Sequence, residues 1–266
     1  SPNSLEGDGH IMGREVGAQI ALMDHAIYQP MYRVEGEEIQ GKPFFRPLAY
    51  GYPGNIIVNS HGKRCCNESF YPDIGRAFLE YDKNFSELAN APLFWVSDQA
   101  ELDRSGMGIL ATMVANDKWL VKGETLPELA DKLGIPGYAL VETVDRFNRY
   151  AEKGEDPDYH RGESTYNHYW GSRRNPDFSP GPVLGPVGAG PYYGIKLELG
   201  SVGTLGGLVT NTSAQVIDAR GNPIPGLYGT SNTTAFLTHG FMYTSGACQS
   251  KSFVFGYIAA RHMAEA

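Results

Sequence analysis

The sequence predicts an α+β fold in which an α/β domain is interrupted by an α+β insertion. Strand-like runs alternate with helical spacing at both ends of the chain, around a middle of mixed character. The chain also holds 33 Gly and 17 Pro, near a fifth of its residues against about 12% in ordinary domains. That excess has no collagen-like period, so it calls for many turns and close backbone approaches. At 266 residues the chain exceeds the usual domain of about 100–200, and one large or two interleaved domains are expected.

Residues 1–9 read as a loop, and Ile11 to His25 then shows helical spacing through Ile11, Val16, Ile20 and Met23. Gly13 and Gly17 lie four apart there, inviting a close approach to the helix backbone. Residues 29–54, rich in Pro, Gly and Tyr, read as irregular. Asn55 to Asn59 is a short buried strand followed by a turn at His61-Gly62. Helix is expected from about Ile74, and strand over Ala91 to Val96. Thr125 is a helix N-cap, with Pro127 and Glu128 in the first turn and Gly134 as the stop. Ala139 to Lys153 places Leu140, Val144 and Phe147 on one face, ending at Gly154. Residues 154–191 read as a long functional loop. Strands follow over Tyr192 to Leu199, Val209 to Asp218 and Gly226 to Thr230. Cys248 to Met263 closes the chain as a helix with Phe253, Ile258 and Ala259 inward.

Several classes of function drop out. A net charge of −8 argues against a nucleic-acid partner. No apolar run approaches the 18 or so residues of a spanning helix. The three cysteines, Cys65, Cys66 and Cys248, form neither a disulfide framework nor a C-x-x-C pair, which favours a reduced, cytoplasmic setting. H-E-x-x-H, Walker and G-x-S-x-G patterns are missing, so no metal site and no serine nucleophile is expected.

Two glycine-bearing stretches hold candidate chemistry. Gly7-Asp8-Gly9-His10-Ile11-Met12-Gly13 is one residue too long for a dinucleotide loop and lacks a preceding strand; it reads as a tight loop before a helix N-terminus. Gly240 to Ala247 (G-F-M-Y-T-S-G-A) precedes the final helix. Either Ser245 caps that helix while Tyr243 packs, or the phenol and hydroxyl act on a carbonyl beside a helix start that favours developing negative charge.

Taken in order, N-S-L-E-G-D-G-H-I-M-G-R-E-V-G-A, I-I-V-N-S-H-G-K-R-C-C-N-E, T-L-P-E-L-A-D-K-L-G-I, V-D-R-F-N-R-Y, G-P-Y-Y-G-I, G-T-L-G-G-L, I-P-G-L-Y-G-T-S-N and F-V-F-G-Y-I-A-A run nearly end to end. This series resembles the C-terminal half of FAD-dependent enzymes of the fumarate reductase and 3-ketosteroid dehydrogenase family. The resemblance implies an α+β arrangement: a substrate-capping domain (29–190) inserted between segments (1–28 and 191–266) of an incomplete α/β FAD-binding domain. It also implies a missing N-terminal half carrying the ADP-binding G-x-G-x-x-G, in keeping with a chain that opens on Ser1.

Fumarate reductases hold their dicarboxylate with Arg and His, one before the T-x-G-G turn. Here Val202-Gly203 precedes Thr204, and a dianion without a matching cation is expensive to desolvate, so dicarboxylate reduction is rejected. N-E-S-F-Y-P-D-I-G-R is similar to the ketosteroid branch's capping motif and implies a catalytic Tyr71. Tyr243-Thr244-Ser245-Gly246 is similar to the Tyr-x-Ser-Gly of the Δ4-(5α) enzymes, implying roles for Tyr243 and Ser245. The implied FAD contacts are Gly206, Gly207, Asn232, Gly246, Ala247 and Cys248, with Asn232 where other branches carry Glu. The expected chemistry is α-proton removal from an apolar, steroid-like ketone and hydride transfer to flavin N5. A flavin-dependent reductase of another enone or unsaturated acid, and a non-catalytic binding module, remain the alternatives.

Overall fold

In a computed structural model of the chain, the described residues are 6–39, 41–48, 50–104, 120–174, 177, 181–236 and 246–265. In chain order the elements are α1 (Asp8–Glu15), β1 (Ile20–Ala21), β2 (Ala26–Ile39), β3 (Lys42–Pro47), β4 (Asn55–Val58), α2 (Tyr71–Leu79), β5 (Tyr81–Asp82), β6 (Glu87–Leu88), β7 (Leu93–Asp98) and α3 (Gln99–Arg104). There follow β8 (Val121–Gly123), α4 (Leu126–Leu133), α5 (Gly137–Ala151), α6 (Thr165–Arg174), β9 (Tyr192–Thr204), β10 (Gly207–Leu208), β11 (Gln215–Ile217), β12 (Pro223–Tyr228) and α7 (Ala247–Glu265). Two compact units emerge: Ser1–Tyr28 with Ser201–Ala266, and Gln29–Gly200.

The 29–200 unit is built on a sheet of order β3-β2-β9-β7-β4, with β8 also on β9. All four residues of β4 are buried, which requires cover on both faces. Antiparallel pairing sets Ile56 opposite Val96 and Ile57 opposite Trp95. Alternation then sends Ile56, Val58, Phe94 and Val96 into one core with Leu126 and Leu129 of α4 and Leu140, Val144 and Phe147 of α5. Ile57, Leu93 and Trp95 face the other core, with Ile74, Ala77 and Phe78 of α2. Each enclosed Leu, Ile, Val or Phe contributes about 1.5–3 kcal/mol of transfer free energy. The α4 boundaries follow the capping signals: Thr125 Oγ1 accepts from Glu128 N–H at 3.3 Å, and Gly134 takes a left-handed φ of 73°.

The other unit pairs β1 with β10 and β11 with β12, both antiparallel, and flanks them with α1 and α7. Gly13 of α1 is buried against Leu208, so its missing side chain permits the expected close approach. Gly17 lies outside the helix at φ 85° with open space around it.

Four sequence expectations need correction. Residues 29–54 are not irregular but form most of β2 and all of β3, because Pro30, Tyr32 and Val34 alternate inward while Arg33 and Glu35 point out. The helix read from Ile11 to His25 stops at Glu15, where Gly17 turns the chain and Ile20–Ala21 pairs with β10. Residues 154–191 are not wholly loop, since they contain α6. On α7, Ala259 is buried but Phe253 is 76% exposed.

Candidate active site

Tyr71 begins α2 and is only 6% exposed. Phe70, in extended backbone at φ −132°, leads into the helix, and Pro72 occupies a first-turn position that needs no N–H donor. Aromatic rings surround the phenol's ring: Tyr50 at 5.9 Å, Tyr166 at 6.2 Å and Phe70 at 6.4 Å between centroids. The Tyr50 and Tyr166 hydroxyls lie 3.2 Å apart. Tyr71 thus starts a helix in a half-apolar setting with two further phenols beside it.

The loop before Tyr71 is fixed by polar groups. Asn67 N–H donates to Asp73 Oδ2 at 2.7 Å, and Asn67 Oδ1 accepts from Ser69 N–H at 3.0 Å. Asn167 of α6, fully buried, donates through Nδ2 to the Ser69 carbonyl at 3.0 Å and accepts from Gly162 N–H at 3.0 Å.

Beside this loop lie four buried charges that balance in sign. Arg64 donates to both oxygens of Glu68 at 2.7 and 2.8 Å and to both oxygens of Asp156 at 2.8 Å. Arg161 reaches Glu68 Oε2 at 3.2 Å and the carbonyls of Asn55, Tyr52 and Val183 at 2.7, 2.5 and 2.9 Å. Arg64 also lies 4.7 Å over the Phe147 ring. Burial works against charge on Arg64, yet Glu68 and Asp156 hold its pKa well above the usual value. Burial likewise opposes ionisation of Asp156, but the Arg64 bonds keep its carboxyl below the ordinary range. Arg161 is lowered by its complete burial. The Tyr159 phenol, donating to the Arg64 carbonyl at 2.8 Å, is pushed up by burial to about 12. Such a network is expensive to desolvate and costly to break from one side.

In the other unit, the residues implied as FAD contacts fall on three adjoining strips. Gly206 and Gly207 are buried at β10; a Cβ on Gly207 would lie 2.5 Å from the Thr233 carbonyl oxygen. Asn232 is exposed in the 3-10 turn Ser231–Thr233. Gly246, at φ 86° with nothing among the described residues within 4 Å of where a Cβ would lie, leads into Ala247 and Cys248, both partly buried at the start of α7. The opening N–H groups of a helix lack internal acceptors and favour negative charge. On α1, His10 Nε2 is buried without a hydrogen-bond partner among the described residues. This donor set, with its open glycine and an orphaned ring nitrogen, fits the polar edge of a flavin.

Tyr243 and Ser245 lie outside the described residues, so Tyr71 is the one implied catalytic residue with described geometry. Sequence reasoning missed Tyr50 and Tyr166, whose proximity to Tyr71 is set by folding, and Lys251, whose only signal was a charge in the first turns of an apolar helix. It also missed the pairing of Arg64 with Glu68 and Asp156 and of Arg161 with Glu68. Among the described residues no group of three or more His, Cys, Asp or Glu is arranged to hold a metal, and no helix is long and apolar enough to cross a membrane.

Residues 1–248 match the family described as "FAD binding domain". A 4-oxocyclohexanecarboxylate 2-dehydrogenase of Sinomonas cyclohexanicum is 39% identical over 99% of this chain and 46% of its own length. A 3-oxosteroid 1-dehydrogenase of Mycobacterium tuberculosis is 37% identical over 97% of this chain and 46% of its own. The crystal structure of 3-ketosteroid Δ1-dehydrogenase from Sterolibacterium denitrificans, in complex with 1,4-androstadiene-3,17-dione, superposes at TM-score 0.85 with 30% identity, over 99% of this chain and 47% of that one. The chain therefore spans about half the length of these relatives.

Proposed function

We propose, for a chain that belongs to the FAD binding domain family, the dehydrogenation of a ring ketone of 3-ketosteroid type by the complete flavoprotein that carries these residues. The observation that carries the reading is Tyr71: a buried phenol at a helix start, ringed by aromatic side chains, in a chain similar to dehydrogenases of two cyclic ketones. An aromatic lining suits a flat apolar ring, and phenols can polarise a carbonyl or take the proton beside it.

FAD, when bound, supplies the acceptor for hydride. The protein's part is to orient the ketone, exclude water and move one proton. Tyr71 is assigned to the proton or the carbonyl, Tyr243 to the complementary role, and Ser245 to a relay. An unperturbed tyrosine has a pKa of about 10, so the base must be helped by its neighbours. The rings of Tyr50 and Tyr166, whose hydroxyls meet at 3.2 Å, are the described neighbours of the Tyr71 ring.

Residues 1–28 and 191–266 are read as segments of the FAD-binding domain, and 29–190 as the capping domain inserted between them. The division into compact units agrees with the boundary after residue 28 but puts 191–200 with the 29–200 unit, where β9 pairs with β7. An ADP-binding segment is the proposed partner of the first unit. The exposure of Ile11 and Met12 on α1, of Val16 just past it, and of Phe253, Val254 and Tyr257 on α7 supports an apolar occupant.

The test is dye-coupled oxidation by the complete flavoprotein, offering a saturated 3-ketosteroid, 4-oxocyclohexanecarboxylate and an α,β-unsaturated carboxylate with reduced dye. Oxidation of the ketosteroid above the other two is expected. Reduction of the unsaturated acid alone would replace the reading with that of a reductase, and bound FAD without turnover of any of the three would leave a binding module.

A further inference from the structure

Lys251 stands in the first turns of α7 with only 7% of its surface exposed. Its ammonium donates to the Thr234 carbonyl at 2.7 Å and the Ala235 carbonyl at 2.8 Å, and lies 5.2 Å over the Phe236 ring. No described carboxylate pairs with it. An amine buried here, held among the described residues by two carbonyls and a ring face, is an expensive choice where an apolar side chain would pack.

What the lysine holds explains the choice. Residues 231–236 form a strip clasped on two sides. On the β10 side the grip is backbone: Ala235 N–H donates to the Leu208 carbonyl at 2.9 Å and Phe236 N–H to the Leu205 carbonyl at 2.8 Å. Gly207 leaves no room there for a side chain. On the α7 side the grip is made by side chains. Thr230 Oγ1 donates weakly toward the carbonyls of Lys251 and Ser252, both at 3.3 Å, and Ser252 Oγ meets Ser231 Oγ at 3.0 Å. Lys251 supplies the two shortest bonds of that seam and its one charge among the described residues. Gly207, Asn232 and Cys248, the three strips assigned above to the flavin, are therefore spaced by a seam that Lys251 closes.

We propose that Lys251 is a positioning residue of the FAD cradle, tying the Asn232-bearing strip to α7 and thereby setting the distance between Asn232, Gly207 and the opening turn of the helix. It touches no reacting atom. The inference rests on the proposed FAD-dependent function and on the implied flavin contacts at Gly207, Asn232 and Cys248.

The test uses the complete flavoprotein, stripped of FAD and titrated with it, with the visible circular dichroism of the bound flavin recorded at saturation. Lys251→Met keeps the stem and removes the donors. It is expected to raise the FAD Kd at least about tenfold, within the range of bonds made by a charged donor, and to change the flavin dichroism. Asn232→Ala, at an exposed position, reports on the cradle itself and is expected to raise Kd as well. A raised Kd in Asn232→Ala with unchanged Kd and dichroism in Lys251→Met overturns the positioning role alone, even if the apoprotein melts lower. The opposite pattern overturns the place of Asn232 in the cradle and supports Lys251. Unchanged affinity in both overturns both. If Lys251→Met does not fold, Lys251→Gln, which reaches one carbonyl at most, is expected to raise Kd at least about threefold, and equal affinity there overturns the proposal.

Discussion

Arg64 and Asp156, separated by 92 positions, face each other through two parallel hydrogen bonds of 2.8 Å. The same guanidinium grips Glu68, four residues on, with a second pair of bonds. One side chain thus joins the loop that leads to Tyr71 to the segment that leads to α6. Arg161, five residues past Asp156, returns to Glu68 and to the carbonyls of Tyr52, before β4, and Asn55, its first residue. The network's charges balance, and its value lies in fixing loops that have little apolar surface of their own.

Removing one partner leaves the others buried and unpaired. Asp156→Asn is expected to lower stability by about 3–5 kcal/mol, the usual cost of breaking a buried pair from one side. Acid sensitivity follows from the depressed Asp156 pKa. A carboxyl more acidic in the folded state contributes stability that is present above the unfolded value of about 3.9 and is lost as pH falls through the folded one. Urea titrations of the native chain from pH 6 down to about 3 should show a decline that is shallower in Asp156→Asn. Parallel slopes for the two proteins would mean that Asp156 does not carry the acid sensitivity.

The α4 signals were written locally and were legible: a Thr hydroxyl at the N-cap, Pro and Glu in the first turn, Gly at the stop. Thr125→Ala removes only the cap bond to Glu128 N–H and should cost about 0.5–2 kcal/mol, measured as a lower urea midpoint at unchanged m. β2 was harder, because Pro30 and Gly36 mask an alternation that Pro30, Tyr32 and Val34 obey. A proline costs a strand nothing where the ladder does not need its N–H. Tyr71 was reached only through the resemblance of the N-E-S-F-Y-P motif. Its neighbours Tyr50 and Tyr166 come from segments 21 positions before it and 95 after it, and no local pattern joins such segments. The same holds for Arg64 with Asp156, whereas Arg64 and Glu68 at i and i+4 carried a readable spacing.

Tyr71→Phe and Tyr243→Phe each delete one hydroxyl and keep the ring. In the complete flavoprotein each should lower turnover by about 10²–10⁴ if its phenol serves as base or carbonyl donor. Ser245→Ala should lower turnover less as a relay, or shift only the melting curve, by about 0.5–2 kcal/mol, as a cap. Stopped-flow reduction of the flavin beside thermal melts separates these. Near-normal flavin reduction in both Phe variants would remove the site assignment.

The 266-residue polypeptide itself should purify without stoichiometric flavin. FAD is gripped largely through its pyrophosphate at a strand–turn–helix unit, and the implied contacts in this chain surround the flavin ring instead. The absorbance ratio at 450 and 280 nm of the purified chain checks this. A flavin-to-protein ratio near one would show that the ring contacts suffice without such a unit.

Lys251 gives the last expectation, in alkaline solution. Burial, partly offset by the neighbouring Cys248, pushes its pKa from 10.5 down to about 8. Between those two values the unfolded chain binds more protons than the folded one, so this lysine makes stability rise with pH over that window. Other groups pull the opposite way. The buried Cys66 thiol, raised by its hydrogen bond with the free Cys65 thiol and by burial, keeps its proton when the unfolded chain has lost it, which lowers stability as pH climbs past about 8.5. Tyr32 and Tyr159, raised by burial to about 12, do the same above about 10. The observable is therefore the difference between the native chain and Lys251→Met, because the cysteine and tyrosine contributions are common to both. That difference should move in favour of the native chain from pH 8 to pH 10, by urea titration at fixed ionic strength. A flat difference would place the Lys251 pKa near its ordinary value and show that the two carbonyls and the Phe236 ring offset the cost of its burial.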